Sequence, residues 1–377
     1  MRKSGRTAAG AQRWKCVPCA ITYTFARTDQ TRAATFDAFV DYVVGKRSQH
    51  EIDRTATGRS TRRRFAWCWD VEVPQPRRTG EVHRQVLVDG TYFQSWCLLV
   101  AYDGQYVIGW QWCETENKHA WGALLKQIPA PDVVVTDGGA GLRAAVDQYW
   151  THTRIQRCYF HIFATVRRHT TLNPRLDAGK EILALTRDLM NVHDLDAAAE
   201  WMVNYARWET RWDEFLKHRT YPKKGVERPA WVRVNQHWWY THPHLRRVRG
   251  LFRQLINDKS LFTWLDDTYL DHDQRRTVAR TTSPLEGGIN AGIKELLRQH
   301  RGLNQDHARR AVEWWLNSKT QFPHDPGQLA RSHLTQPPSK ARKPKTDNEH
   351  IGPASYDTGL TAEEGLWTRK GWAGRSH

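Results

Sequence analysis

Between residues 85 and 114 the chain runs through three β-rich stretches, QVLVDGTYF, WCLLVAYD and QYVIGWQWCE, separated only by Gln94-Ser95 and by the turn at Gly104. Connections this short allow antiparallel pairing and exclude parallel crossovers, so a β-meander is predicted here. The periodicity then changes. KHAWGALLKQI reads as a helix, PDVVVTDGG as a buried-type strand ending in a turn, GLRAAVDQYW as a helix and TRIQRCYFH as a further strand. The order β-β-β-α-β-α-β predicts an α/β fold, a mixed sheet flanked by helices.

On the N-terminal side, residues 1–30 form a basic segment with a single C-x-x-C pair, Cys16 and Cys19. Residues 31–75 read as helical. Phe36, Phe39, Val40 and Val43 share one apolar face, Ser48-Gln-His-Glu51 spells a capping box, and Ser60 after Thr57-Gly58 can cap a third helix, TRRRFAWCW. Three short helices with a glycine before the last outline an N-terminal helix-turn-helix. Arg62, Arg63 and Arg64 would face the DNA major groove while Phe65, Trp67 and Trp69 pack inward. VEVPQPRRTG, residues 71–80, reads as a linker.

Beyond residue 163 the strand signal disappears. Trp201, Tyr205, Trp208 and Trp212 form an aromatic stripe at helical spacing, and Leu245, Val248, Leu251, Phe252, Leu255 and Ile256 form a second helical face. Residues 164–280 are therefore predicted to be an all-helical insertion, its aromatic stripe read as core rather than as a base-stacking surface. It divides a core of residues 81–163 and 281–320. Residues 321–377 read as a basic, mostly disordered tail.

Lys and Arg number 57 against 40 Asp and Glu, a net charge of +17, which points to polyanionic partners, nucleic acid first. No apolar run approaches the roughly 18 residues of a membrane span, so no membrane partner is expected. The basic N-terminus lacks the apolar stretch of a secretory signal, and six cysteines without one read as reduced thiols in a cytoplasmic protein.

Asp89 in QVLVDGTYF and Asp137 in VVVTDGG stand at the ends of apolar strand runs, each followed by a glycine that lets a bulky anion approach the backbone. Glu286 begins a helix in SPLEGG. Hard oxygen ligands of this kind suit Mg²⁺ or Mn²⁺, and two such ions suit phosphodiester chemistry. Taken singly, Asp89-Gly90 is also a common hairpin-turn spelling, and Ser283-Pro284 with Glu286 is also a capping box. The adjoining Gly287-Gly288 pair, costly in a helix, suggests that something bulky comes close.

In combination, VLVDGTYF, VVVTDGG, CYFH, a long helical stretch and SPLEGGINAGIKELLR resemble the DDE transposases of bacterial insertion sequences, in the Mutator-type group. The resemblance covers roughly residues 10–320. It implies an RNase H-like catalytic core interrupted by an all-helical insertion, with Asp89, Asp137 and Glu286 as the metal-binding catalytic triad and probes of that site expected to find two Mg²⁺ or Mn²⁺ ions. Of these acids, 48 residues separate the first two and 149 the last two. Cys158 and His161 match the family's C/D-x-x-H signature, which implies a place near the active site and, for His161, a contact with the scissile phosphate. Asn290 lies one helical turn beyond Glu286 on the same side. Relatives open with a zinc ribbon of two cysteine pairs. Cys16 and Cys19 alone cannot close a tetrahedral Zn²⁺ site, and His50 and Cys68 already fit on helices, so the segment reads as a ribbon remnant. The implied function is cleavage of DNA at element ends and transfer of the 3′-hydroxyl into target DNA. The partners are terminal inverted repeats and target DNA, and pairing of two ends implies a homodimer or larger assembly. The alternatives are a hydrolysis-only nuclease of the same fold and a catalytically silent DNA-binding regulator derived from a transposase.

Overall fold

The computed structural model describes residues 1–335 apart from residues 9, 25–27, 46–48, 53–57, 94, 224 and 267–277. The chain forms two compact units. One consists of Met1–Pro76 with the segment from Ile293, the other of Arg77–Gly292. The first cut falls inside VEVPQPRRTG.

The first unit opens with three short strands, β1 (Arg2–Arg6), β2 (Gln12–Lys15) and β3 (Thr22–Thr24), paired antiparallel in that order. They are too short and polar to show a period in the sequence. Cys16 and Cys19 lie in the turn between β2 and β3, closed by a bond from Cys16 N–H to the Ile21 carbonyl at 2.9 Å. Next come α1 (Thr28–Val44), the single turn α2 (Gln49–Ile52) and α3 (Arg59–Phe65), followed by a 3₁₀ turn at Ala66–Asp70. Phe36, Phe39 and Val43 are fully buried on α1. Trp69 packs edge-on against Phe39 with ring centroids 4.7 Å apart, and Trp67 lies 5.6 Å from Phe36. The chain enters α3 through Gly58 at φ 58°, a left-handed conformation that glycine adopts without Cβ strain. Ser60, expected as the cap, is instead the second residue of the helix. Ser48 lies outside the described residues.

In the second unit the elements are β4 (Gln85–Phe93), β5 (Trp96–Tyr102), β6 (Val107–Cys113), α4 (Lys118–Leu125), β7 (Val133–Thr136), α5 (Ala140–Tyr149) and β8 (Arg154–Arg157). They build a five-stranded mixed sheet of order β6-β5-β4-β7-β8. The meander pairs antiparallel, whereas β4–β7 and β7–β8 pair parallel. Alternation along the strands sends Val86, Val88, Leu99 and Val134 into one core with Trp121, Leu124, Leu142, Val146 and Trp150 of the α4 and α5 region. The stretch TRIQRCYFH is not one strand. β8 ends at Arg157 and α6 (Tyr159–Thr170) begins at once.

The inserted segment contains α7 (Asp177–Asp188), α8 (Leu195–Lys217) and α9 (Pro243–Asn257), but it is not all-helical. β9 (Arg219–Thr220) and β10 (Trp239–Tyr240) form a two-residue antiparallel pair. Asp194 caps α8 by accepting from Ala197 N–H at 2.8 Å. The aromatic stripe is core. Trp201, Tyr205 and Trp208 are buried, and the indoles of Trp201 and Trp208 donate to the carbonyls of Leu185 and Ala178 at 2.7 and 2.9 Å. Burying a tryptophan side chain contributes about 4–6 kcal/mol before ordering costs, at about 25 cal/mol per Å².

A π-helical turn, Leu285–Asn290, leads into α10 (Ala291–Gln299), and α11 (Gln305–Asn317) and α12 (Pro326–Thr335) follow. Two expected boundaries move. Residues 293–320 belong with the N-terminal unit rather than with the sheet, and α12 packs on α1 where the sequence predicted tail. Residues 336–377 of that predicted tail lie outside the described residues.

Candidate active site

β4 pairs with β7 only over Gln85–Leu87, with Leu87 opposite Val135. Asp89 and Asp137 each stand two residues further along these neighbouring parallel strands, where the ladder has ended. Both belong to the set that alternates away from Val86, Val88 and Val134. Asp89 does not mark a turn or a strand end. It sits inside β4, registered with Val100 of β5, and is only 6% exposed.

Asp137 is held by its own turn. Its Oδ1 accepts from Gly139 N–H at 2.9 Å and from the Thr136 hydroxyl at 3.2 Å. Gly138 has φ 88°, a backbone shape that favours glycine, and a Cβ there would overlap the guanidinium of Arg157, which would have to move. On the far side of this turn a pocket of about 380 Å³ is lined by Arg143, Arg157, Leu255, Asp258 and Ser260 among others.

Glu286 lies in the π-helical turn. The capping box with Ser283 does not form. Instead the Thr282 hydroxyl donates to Glu286 Oε1, and Glu286 N–H donates to the Thr282 carbonyl at 3.0 Å. The Thr282 N–H also donates to Cys158 Sγ at 3.3 Å. Cys158 stands at the N-terminus of α6 and His161 in its first turn, both buried, so His161 lies on a helix rather than on the strand predicted for TRIQRCYFH. His161 Nδ1 lies 3.8 Å from Glu286 Oε1. Cys158, His161 and Glu286 bring one ligand atom each within 4.8 Å of one another, and among the described residues they are the one such trio of His, Cys, Asp or Glu. The three acids are more widely spread than that. Asn290, four residues beyond Glu286 and 2% exposed, donates through Nδ2 to Asp89 Oδ2 at 2.6 Å, while its own Oδ1 has no hydrogen-bond partner. A Cβ on Gly287 or Gly288 would meet no described atom within 4 Å, so nothing bulky from the protein itself adjoins this pair.

The electrostatics tie these groups together. Burial raises the Asp89 carboxyl well above the usual carboxylate range, and the charges of Glu286 and Asp137 raise it further. Burial disfavours the His161 imidazolium, but the Cys158 sulfur and the charges of Glu286 and Asp137 outweigh it and lift the ring to about 9. Burial likewise works against the Cys158 thiolate, yet His161 and Thr282 outweigh it and lower the thiol. The site therefore joins a cluster of carboxylates to a buried imidazolium. Glu116, which sequence reasoning missed, adds its charge to those acting on Asp89. The available signal was Gly90, a glycine inside a strand that no turn explains.

The remaining candidates lie in the first unit. Arg62, Arg63 and Arg64 are exposed on α3 between buried Thr61 and Phe65. Arg62 also lines a pocket of about 750 Å³ with Tyr42, Trp69, His300 and Arg301. The Cys16 thiol is lowered by hydrogen bonds from Cys19. Cys68 is fully buried, and burial pushes its thiol up to about 12, which removes it as a thiolate partner for that pair. The side chain of His50 is outside the described residues.

Residues 76–230 match the family described as Transposase, Mutator family, which supports a Mutator-type transposase. The match includes Asp89, Asp137, Cys158 and His161 and stops short of Glu286 and Asn290. No curated protein matches the chain. No helix among the described residues is long and apolar enough to cross a membrane.

Proposed function

We propose, from the Mutator-family match, that this transposase cleaves DNA at the ends of its element and joins the freed 3′-hydroxyl to target DNA at one divalent-metal site formed by Asp89, Asp137 and Glu286. The observation that carries the reading is that Asp89 of β4, bonded to the buried Asn290, lies within electrostatic reach of Asp137 at the end of β7 and of Glu286 in a turn 149 residues after Asp137. The sheet order, three antiparallel strands continued by two parallel ones, supports an RNase H-like core.

The residues fit hard cations. The acids offer oxygen ligands, and Asn290 adds a buried oxygen without a hydrogen-bond partner. Mg²⁺ or Mn²⁺, as an ion pair, would supply activation of the attacking oxygen and stabilisation of the leaving one. The protein's own groups do the rest. Thr282 orients the Glu286 carboxylate, and Asn290 fixes Asp89. His161, protonated through neutral pH, keeps a donor beside the acids for a scissile-phosphate oxygen. The exposed, side-chain-free surface at Gly287-Gly288 leaves room for a DNA backbone next to Glu286. Arg62, Arg63 and Arg64 on α3 would read the element end in a helix-turn-helix arrangement, and pairing of two ends calls for a dimer or larger assembly.

The test is a strand-transfer reaction in Mg²⁺ with labelled element-end DNA and a plasmid target. Joined product supports the proposal. Nicking without joining would favour a hydrolytic nuclease, and specific binding without nicking a silent regulator.

A further inference from the structure

Between β9 and β10 the chain makes an excursion over residues 221–238. Its base is anchored. The hydroxyls of Thr220 and Thr241 share a hydrogen bond at 2.9 Å, and Thr241 N–H donates to the His218 carbonyl at 3.0 Å. Arg219 lies over the Trp238 ring at 4.0 Å. The tip is fastened to itself. Arg228 donates to the carbonyls of Arg233 and, at 3.2 Å, of Gln236, and Val232 N–H donates to the Pro229 carbonyl at 2.9 Å. The excursion divides its apolar residues between two sides. Val232 and Trp239 are buried, whereas Trp231 is 55% exposed and Val234 90% exposed.

A single exposed apolar residue needs no explanation, but an indole and a valine held outward together on a fastened loop mark a contact surface. The surrounding charge selects the partner. Residues 219–241 carry five Lys or Arg against one acid, Glu227, and Lys223 and Arg233 are exposed. A cationic loop suits a polyanion, and the transposase family makes DNA the polyanion at hand. The face of another protein would satisfy Trp231 and Val234 and leave this charge unanswered. The indole narrows the choice further. In a closed duplex the base faces are covered by their neighbours, so a flat apolar ring finds a stacking partner on an unpaired base.

We propose that the tip of the β9–β10 excursion is a binding site for single-stranded DNA, in which Trp231 stacks on an unpaired base while Arg233 and Lys223 hold the adjoining phosphates. The inference rests on the DNA substrate of the reading above and not on its metal ligands. It makes parted strands a better ligand than closed ones.

The experiment measures binding of the full-length protein in EDTA to a fully paired DNA duplex and to the same duplex with a single-stranded tail containing 2-aminopurine. The proteins compared are the parent, Trp231→Ala, Trp231→Phe and Arg233→Ala. The parent is expected to bind the tailed duplex about 5- to 100-fold more tightly and to quench the 2-aminopurine fluorescence. Trp231→Ala should lose both the preference and the quenching at parental affinity for the paired duplex, and Trp231→Phe should keep most of each. Arg233→Ala should lower the salt slope of tailed-duplex binding by about 0.7. A parent that binds the two duplexes equally, or a Trp231→Ala variant that keeps the preference, would overturn the proposal and leave strand transfer standing. Failure of the parent to bind either DNA would remove the DNA reading itself. Dissociation of an assembly by Trp231→Ala with the tail preference intact, seen by analytical ultracentrifugation, would assign the face to a second copy of the chain and refute the proposal. If Trp231→Ala fails to fold, Arg233→Ala decides alone: the reduced salt slope supports the site, and a parental slope refutes it.

Discussion

Asp89→Asn should make the metal-free protein more stable and the metal-bound protein less so. Asp89 is 6% exposed, and its carboxylate carries a charge that burial, Glu286 and Asp137 all oppose. Asparagine keeps an oxygen to accept from Asn290 Nδ2 and turns an amide toward the neighbouring acids, so the buried hydrogen bond persists while the repulsion is lost. Relief of a buried, opposed charge falls in the range of other single stabilising changes, about 0.5–2 kcal/mol, and would raise the melting temperature by roughly 1–8 °C. The pH dependence has a definite sign. With the folded pKa above the unfolded value of 3.8, the native state holds a proton that the unfolded chain has released. Its stabilising contribution is complete below pH 3.8 and is lost as pH rises through the folded pKa. In EDTA the advantage of Asp89→Asn should therefore be near zero around pH 3.8 and grow as pH rises. Mg²⁺ reverses the ranking. A site at 100-fold excess over its Kd stabilises the parent by about 2.7 kcal/mol, and the variant gains little. Thermal unfolding with and without Mg²⁺ at several pH values reads both effects. A variant less stable than the parent in EDTA at pH 7.5, or one that responds to Mg²⁺ as the parent does, would refute the reasoning.

Affinity for DNA should fall about 10³-fold between 50 and 200 mM salt if about six phosphates are contacted, as a filter-binding titration would read; a flat response would remove the nucleic-acid interpretation of the +17 charge. Asp137→Asn should abolish Mg²⁺-dependent nicking while preserving DNA binding, whereas Arg63→Ala should weaken element-end binding and leave Mn²⁺ affinity intact; parental nicking by Asp137→Asn would end the triad assignment. Gly138→Ala should cost about 1–2 kcal/mol for its left-handed backbone in urea unfolding and also displace Arg157, so an unchanged unfolding midpoint would contradict the geometry. Trp208→Phe should destabilise by about 1–3 kcal/mol through the lost bond to the Ala178 carbonyl and the reduced packing, with DNA affinity unchanged; weakened binding in a stable variant would favour base stacking instead.

Much of the sheet was legible because its strands are apolar and its turns short. The meander, the continuous apolar run of VVVT and the helical face of α9 follow from residue patterns that solvent exclusion imposes. The limits of TRIQRCYFH were not legible, since Tyr159 and Phe160 suit a strand as well as a helix. What stops β8 is tertiary: Arg157 N–H bonds the Ser260 carbonyl, and Tyr159 N–H the Arg280 carbonyl, partners far along the chain. α12 was hidden by composition. Its Pro, Gly and Ser suggest a tail, and packing on α1 overrides that preference. Asp89, Asp137 and Glu286 could be proposed because each sits beside glycines in a recognisable spelling. The charge of Glu116 beside them was not legible, because CETENKH has neither period nor motif, and only the structure places its carboxylate where a side chain on Gly90 would stand.

The interruption of the sheet unit by its inserted segment has a consequence in time. Synthesis delivers about 5–20 residues per second, so Glu286 and Asn290 emerge roughly 7–30 s after Asp137. Through that interval β4 to β8 can pair and α6 to α9 can pack, yet the acids lack their last member and Asp89 lacks its amide partner. A ribosome-bound chain can thus carry a folded sheet while Asp89 still waits for Asn290, and an abortive product ending within the insertion would lack that bond altogether. The order of residues along the chain places the Asn290–Asp89 bond after the whole inserted segment has been made.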